Sequence, residues 1–277
     1  MERRTMEEVV ARYEFEPELK DVFVEGAFDS EVLTECFKHH GQSSRIVYGI
    51  DTVEIPKEFL HRQGLTDGNK QRVIALARVL STLQGDLECR CLVDRDLDHW
   101  FGELETNKTL IWTDHCSIEL YFFTHDVLQD ILLVVSRCKI DDWQAFHESL
   151  ENVLVQVYAM RLVDRELDWS MQWLPIPKFL TASTTAILFD SAEYIRRLLL
   201  KNARASGAAN FSARLLFWQG AIQGSPHFSI RGHDLVDVLA WTIRAFRGMT
   251  ELANSAIVER LFLMRIHKVQ NLLDLLQ

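Results

Sequence analysis

The first half of the chain alternates short apolar segments with helix-patterned ones, and the apolar segments run into glycine or acidic residues. KDVFVEG (20–26), SRIVYGID (44–51), LECRCLVD (87–94) and TLIWTD (109–114) are rich in β-branched and aromatic residues and are expected as strands. Between them lie DSEVLTECFKHH (29–40), with Val32, Leu33 and Phe37 at helical spacing, and GNKQRVIALARVLSTL (68–83), with Val73, Leu76, Ala77 and Leu80 on one stripe. Asp29 or Ser30 is the expected cap of the first of these helices, and a short helix over 6–13 precedes the first strand. Alternation of this kind predicts βαβ units and a mostly parallel sheet flanked by helices, an α/β domain over 1–128.

Beyond that point the pattern is helical, over 130–136, 143–163, 182–203, 213–219, 233–246 and 255–276, broken by LPIPKF (174–179) and SGAANFS (206–212). An α-helical domain over 129–277 is therefore expected to follow. Of the net charge of −10, the segment 190–277 contributes 11 Lys and Arg against 7 Asp and Glu, so the remainder is strongly acidic. Such asymmetry is a hint of polyanion contact on the basic side. Within it Arg196, Arg197, Lys201 and Arg204 form a stripe on one expected helix, either a phosphate-contact surface or a solvated face. No apolar run is long enough to cross a bilayer, MERRTMEEVV has no secretory h-region, and Cys36, Cys89, Cys91, Cys116 and Cys138 suggest no disulfide framework. A cytoplasmic protein is the expectation. No phosphate loop of the GxxxxGK[ST] type occurs, so an ATPase activity would come from a partner.

The strand ends carry the chemistry. Glu25 closes the first strand with Asp29 shortly after it. Asp94, Asp96 and Asp98 follow the third, and Asp114 and Glu119 follow the fourth. In a parallel sheet the carboxyl ends of the strands share one edge, where open α/β folds place ligands. Residues two apart on an extended segment point the same way, so Asp94 and Asp96 are expected to address one point. Converging carboxylates raise one another's pKa, and a hard divalent cation such as Mg²⁺ or Mn²⁺ relieves the repulsion. Each piece has a plainer reading: Gly26 as a backbone requirement, Asp29 as a helix cap, DxDxD as a solvated loop. Cys89, Cys91 and Cys116 are expected to be buried, not to bind zinc.

VFVEGAFD (22–29) and VDRDLD (93–98) resemble the two signatures of Toprim domains, a glutamate after the first strand and a DxD after the third. TDHCSIELYFF (113–123) and RGHDLVDVL (231–239) are similar to segments of Toprim nucleases encoded with phage-defence ATPases, the Toprim effectors of PARIS systems, and more distantly of OLD-family nucleases. The resemblance implies a metal-dependent nuclease with Glu25 as metal ligand or general base, Asp94 and Asp96 as the metal pair, and Asp29 and Glu119 as further acidic ligands. An assisting basic residue is left open among Lys70, Lys139 and Arg95. It further implies RNA, specifically tRNA, as substrate, with DNA as the alternative, a partner ATPase, and a homodimer. A different class of function is a non-catalytic subunit that gates the ATPase.

Overall fold

A computed structural model describes residues 3–42, 44–269 and 271–276. The chain forms two compact units, Met1–Ile118 with Leu263–Gln277, and Glu119–Phe262. The division falls earlier than the expected 128, and the last residues return to the first unit.

The first unit opens with β1 (Arg4–Thr5) and α1 (Met6–Phe15). The T-x-x-E start forms a reciprocal cap: Thr5 Oγ1 accepts from Glu8 N–H at 3.2 Å, and Glu8 Oε2 accepts from Thr5 N–H at 2.8 Å. There follow β2 (Val22–Val24), α2 (Ala27–His39), β3 (Val47–Gly49), β4 (Val53–Glu54), α3 (Lys57–Arg62), α4 (Asn69–Leu80), β5 (Arg90–Val93), α5 (Asp98–Phe101) and β6 (Leu110–Trp112). The main sheet has the order β3-β2-β5-β6 with every pairing parallel, so this unit is α/β as expected. A small parallel ladder, β1 with β4, was not foreseen; it pairs two residues from each strand, too few to leave a pattern.

Apart from Arg90 at the start of β5, strands β2 and β5 are apolar and buried, the mark of a sheet covered on both faces. Phe23, Cys91 and Val93 join the core made with Val9 and Tyr13 of α1 and Val73, Leu76, Ala77 and Leu80 of α4. Helix α2, buried through Val32, Leu33, Cys36 and Phe37, packs against β3 and against the 3-10 turn Ile266–Lys268. The Arg45 guanidinium reaches the Leu276 carbonyl at 3.0 Å, and Leu272, Leu273 and Leu276 are buried. That apolar burial is what draws the tail back to this unit.

Three local expectations change. Helix α2 begins at Ala27 with Gly26 as its cap, ahead of Asp29 and Ser30. Gly26 has φ −134°, open to any residue, so its backbone does not require glycine. The second strand stops at Gly49, and Asp51 sits in a 3-10 turn, Ile50–Thr52.

The second unit is mainly helical: α6 (His125–Gln129) with a π-helical continuation Asp130–Val135, α7 (Trp143–Glu166), α8 (Ser191–Lys201), α9 (Ala208–Ala221), α10 (Gly232–Ala245) and α11 (Ser255–Leu263). The long α7 packs against α9. Phe122 stacks on Phe262 at 4.8 Å, and the Arg161–Asp234 ion pair lies beneath Trp173, whose ring centre is 4.2 Å from the guanidinium carbon. The helix expected over 182–203 is in fact an antiparallel hairpin, β7 (Leu180–Ala182) with β8 (Ile187–Phe189), followed by α8. The Ser183 hydroxyl makes the turn by accepting from Ala186 N–H at 2.9 Å, and Asp190 caps α8 through Glu193 N–H at 3.0 Å. The helix expected over 255–276 ends at Leu263.

Gly248 is hemmed in by backbone. A Cβ there would lie 2.8 Å from the carbonyl oxygens of both Ile243 and Ser136. Neither oxygen is free to retreat, because each accepts a backbone hydrogen bond at 2.8 Å, from Gly248 and Met249. Gly248→Ala should cost about 1–3 kcal/mol, read as a lower urea midpoint. Gly220→Ala, which meets nothing within 4 Å in α9, should instead be neutral or gain up to about 1 kcal/mol.

Candidate metal and phosphodiester site

The sheet order places one feature at the centre of the first unit. Strands β2 and β5 are neighbours, β3 lies beyond β2 and β6 beyond β5, so the order of connection reverses between β2 and β5. Open α/β sheets bind ligands at this switch point, beyond the carboxyl ends of the strands. Glu25 follows β2 directly and Asp94 follows β5 directly. They are joined: Asp94 N–H donates to Glu25 Oε1 at 3.0 Å. Burial, and next to it the charge of Asp96, push the Glu25 carboxyl up to about 8, against the partial relief of the Asp94 hydrogen bond. Asn69, at the start of α4, donates its side-chain amide to the Glu25 carbonyl at 2.8 Å.

The acidic run after β5 is not extended, which corrects the alternation argument. Asp96 has φ +46°, in the left-handed region, and its N–H bonds to Cys116 O at 2.8 Å; Asp98 starts α5. The turn changes which carboxylates meet. Asp96 Oδ2 and Asp98 Oδ2 lie 3.0 and 2.6 Å from one cation, the Lys70 ammonium, which is also 5.2 Å from the centre of the Trp112 ring. Burial alone would lower the Lys70 pKa, but the charges of Asp96 and Asp98 outweigh it and leave it raised. Lys70, one of the three basic candidates, thus has a defined partner in Asp96, and Asp98, to which the resemblance assigns no role, joins them. The signal was the position of Lys70 one turn from Val73, on the face of α4 that meets the sheet.

The other expected residues have separate settings. Asp29 Oδ2 accepts from Gly26 N–H at 2.9 Å, so it serves the start of α2 while adding its charge to the field at Glu25. Arg95 donates from Nε to the Thr113 carbonyl, tying the acidic loop to the end of β6. Lys139 lies in the second unit, where its N–H bonds to Phe246 O. Glu119 opens that unit: it is buried, its Oε1 stands 3.8 Å from His233 Nδ1, and its Oε2 has no hydrogen-bond partner among the described residues. On α8, Arg196 and Arg197 both bind Glu193, at 2.6 and 2.5 Å, and Lys201 Nζ lies 3.3 Å from Trp173 O; Arg204 lies beyond the end of α8, over the Trp169 ring. The expected one-helix stripe therefore keeps three of its four residues on α8, and both arginines there are paired with Glu193 of the same helix. The five cysteines are buried and form no disulfide with one another.

The acidic side chains at the switch point offer hard oxygens, and the Glu25 carboxyl is raised first by burial and then by the charge of Asp96; oxygen donors of this kind suit Mg²⁺ or Mn²⁺. As they stand, no group of three or more Asp, Glu, His or Cys among the described residues is disposed to hold a metal ion, and the convergence of Asp96 with Asp98 is satisfied by Lys70. No family model matches the chain, and no curated protein matches it. Among the described residues no helix is long and apolar enough to cross a membrane.

The Glu25 shift has a definite sign. The folded state holds its proton up to a pH near 8, whereas the unfolded chain releases it near the ordinary carboxylate value. Its contribution is therefore fully present at acid pH and is lost as pH rises through that window, at up to about 1.4 kcal/mol per pH unit. Chemical denaturation in chelator should find Glu25→Gln more stable than wild type at pH 8, with the difference closing toward pH 5. An equal difference at both pH values would show that the burial of Glu25 carries no such cost.

Proposed function

We propose that this chain is a metal-dependent phosphodiesterase of Toprim type, an endonuclease acting on nucleic acid, with RNA and in particular tRNA as the favoured substrate. The observation that carries the reading is the meeting of Glu25 and Asp94 at the switch point of a parallel sheet, with Asp96 in the same field. These are the residues that the Toprim resemblance makes functional. The sheet also has the parallel, helix-flanked form that the resemblance implies.

In this reading Glu25, Asp94 and Asp96 would hold Mg²⁺ or Mn²⁺, which would supply an activated water and charge neutralisation at the leaving oxygen. If the metal were held by the aspartates alone, Glu25, whose carboxyl is raised to about 8 by burial and the charge of Asp96 in the metal-free protein, would be suited instead to take and return a proton at its Oε atoms. The backbone N–H of Asp94 holds Glu25 Oε1, and Asn69 fixes the Glu25 main chain, so the carboxyl group is oriented before substrate arrives. Lys201, Arg204 and the Glu193-bound Arg196 and Arg197 are the phosphate-contact candidates of the second unit. A nuclease of this type in a growing cell needs restraint, and an ATPase partner encoded with it is the restraint that the resemblance favours. The acidic first half offers such a partner a charged docking surface.

Glu25→Gln, Asp94→Asn and Asp96→Asn should each lower RNA cleavage in Mg²⁺ by at least about 100-fold while the far-ultraviolet circular dichroism is unchanged, and EDTA should silence the wild type. Sequencing RNA and DNA ends after brief induction, beside a Glu25→Gln control, reads the substrate. Wild-type cutting by the Glu25→Gln protein, or full activity in excess chelator, would overturn the reading.

The basic stripe has its own test. Alanine at Arg196, Arg197, Lys201 and Arg204 together should weaken RNA binding and reduce the slope of log affinity against log salt by about 0.7 for each phosphate no longer neutralised. An unchanged slope would mark the stripe as a solvated face.

A further inference from the structure

The acidic site contains a cation of its own. The Lys70 side chain is 13% exposed, and its ammonium lies 3.0 Å from Asp96 Oδ2 and 2.6 Å from Asp98 Oδ2. The charge of Glu25 also acts on it. An isolated ammonium at that depth would be costly, and so would the carboxylates without a cation. Each is tolerated because of the other.

Helix α4 is built to deliver this lysine. Gly68 turns the chain into the helix at φ +147°, a conformation that side chains rarely adopt, and Asn69 then bonds the Glu25 carbonyl at 2.8 Å. The anchor fixes the start of α4 at the end of β2, and the next residue is Lys70. The Trp112 ring, 5.2 Å from the ammonium, lies on the last residue of β6 and gives it an aromatic neighbour that does not compete for the carboxylates.

We propose that Lys70 is an internal counter-ion that competes with divalent metal for the acidic site, so that the resting protein binds Mg²⁺ or Mn²⁺ weakly until Lys70 gives up Asp96. The inference rests on the metal-dependent reading above and adds its regulation. Its physical basis is simple. A divalent cation taking Asp96 Oδ2 needs the oxygen that the ammonium now holds, and two like charges at one carboxylate repel. Lysine suits the part, being a compact charge on a flexible stem that can swing away without moving the helix. A bound phosphodiester anion offers the released ammonium another partner. Metal and substrate should therefore enter together more readily than metal alone, which keeps the unliganded site quiet.

The test is direct metal binding to the full chain, read by calorimetry and by the electron paramagnetic resonance of free Mn²⁺. Lys70→Gln and Lys70→Met should bind Mn²⁺ about 5- to 150-fold more tightly than wild type, the usual range for coupling between two bound species. Lys70→Arg, which keeps the charge, should remain close to wild type. The gain in melting temperature on adding Mn²⁺ should likewise be larger for Lys70→Gln, the variant that keeps a hydrogen-bond donor near Asp98, than for wild type. Equal or weaker Mn²⁺ binding by both neutral variants overturns the counter-ion role while leaving the metal site standing. Failure of wild type and both neutral variants to bind Mn²⁺ at all overturns the metal reading and this inference with it.

Discussion

The parallel pairing of β2 with β5 is the constraint from which the rest of the first unit follows. Val22 pairs with Arg90 and Phe23 with Cys91 across the ladder, so β5 runs only one residue beyond the end of β2. The residues that come next, Glu25 and Asp94, then have no choice but to meet. Burial on both faces removes slack from this arrangement, because a slip of one residue would turn Phe23 and Cys91 out of the core they share with α1 and α4. The ladder thus brings the Asp94 backbone N–H within reach of the Glu25 carboxyl group. The carboxyl group of Glu25 is pushed up to about 8 by its burial and, next to that, by the charge of Asp96, while the Asp94 hydrogen bond works the other way.

Both units pair charge in small sets, such as Arg12 with Asp21 and Arg78 forked onto Glu105 in the first. The first unit also sets Lys70 of α4 between Asp96 and Asp98 at the edge of the sheet. The second unit holds further discrete pairs. Arg161 forks onto Asp234 at 2.7 and 2.8 Å beneath an aromatic ring, Arg214 forks onto Glu166, and Glu193 holds two arginines of its own helix. A buried fork of that sort fixes helix packing, since removing either partner strands a charge. A shared ammonium among several carboxylates is a different device: it can be exchanged for another cation. The shared ammonium lies where an α/β sheet places its ligands.

Much of this was legible in the residues. The four main strands, α1, α4 with its buried stripe, and the run of later helices all follow from short-range pattern, because burial on a sheet face or a helix stripe leaves a period in the sequence. The hairpin Leu180–Ala182 with Ile187–Phe189 did not, because its Ala-Ser-Thr-Thr-Ala turn has no glycine or proline to break the helical pattern of the segment. The β1–β4 ladder is too short to carry a period, and the return of Leu263–Gln277 to the first unit depends on surfaces far away along the chain.

For the site, the sequence alone determined that acidic residues would stand at the carboxyl ends of parallel strands: strand identity and direction suffice for that, and both are local. It equally determined that an oxygen-rich site of this kind needs a cation. Only the tertiary structure decided which carboxylates converge and on what. Asp96 turns through a left-handed conformation, so it is Asp98 that joins it, and Lys70 arrives from a helix that precedes both in sequence. A backbone turn and a contact across 26 residues leave no period or spacing to read, whereas the strand ends do.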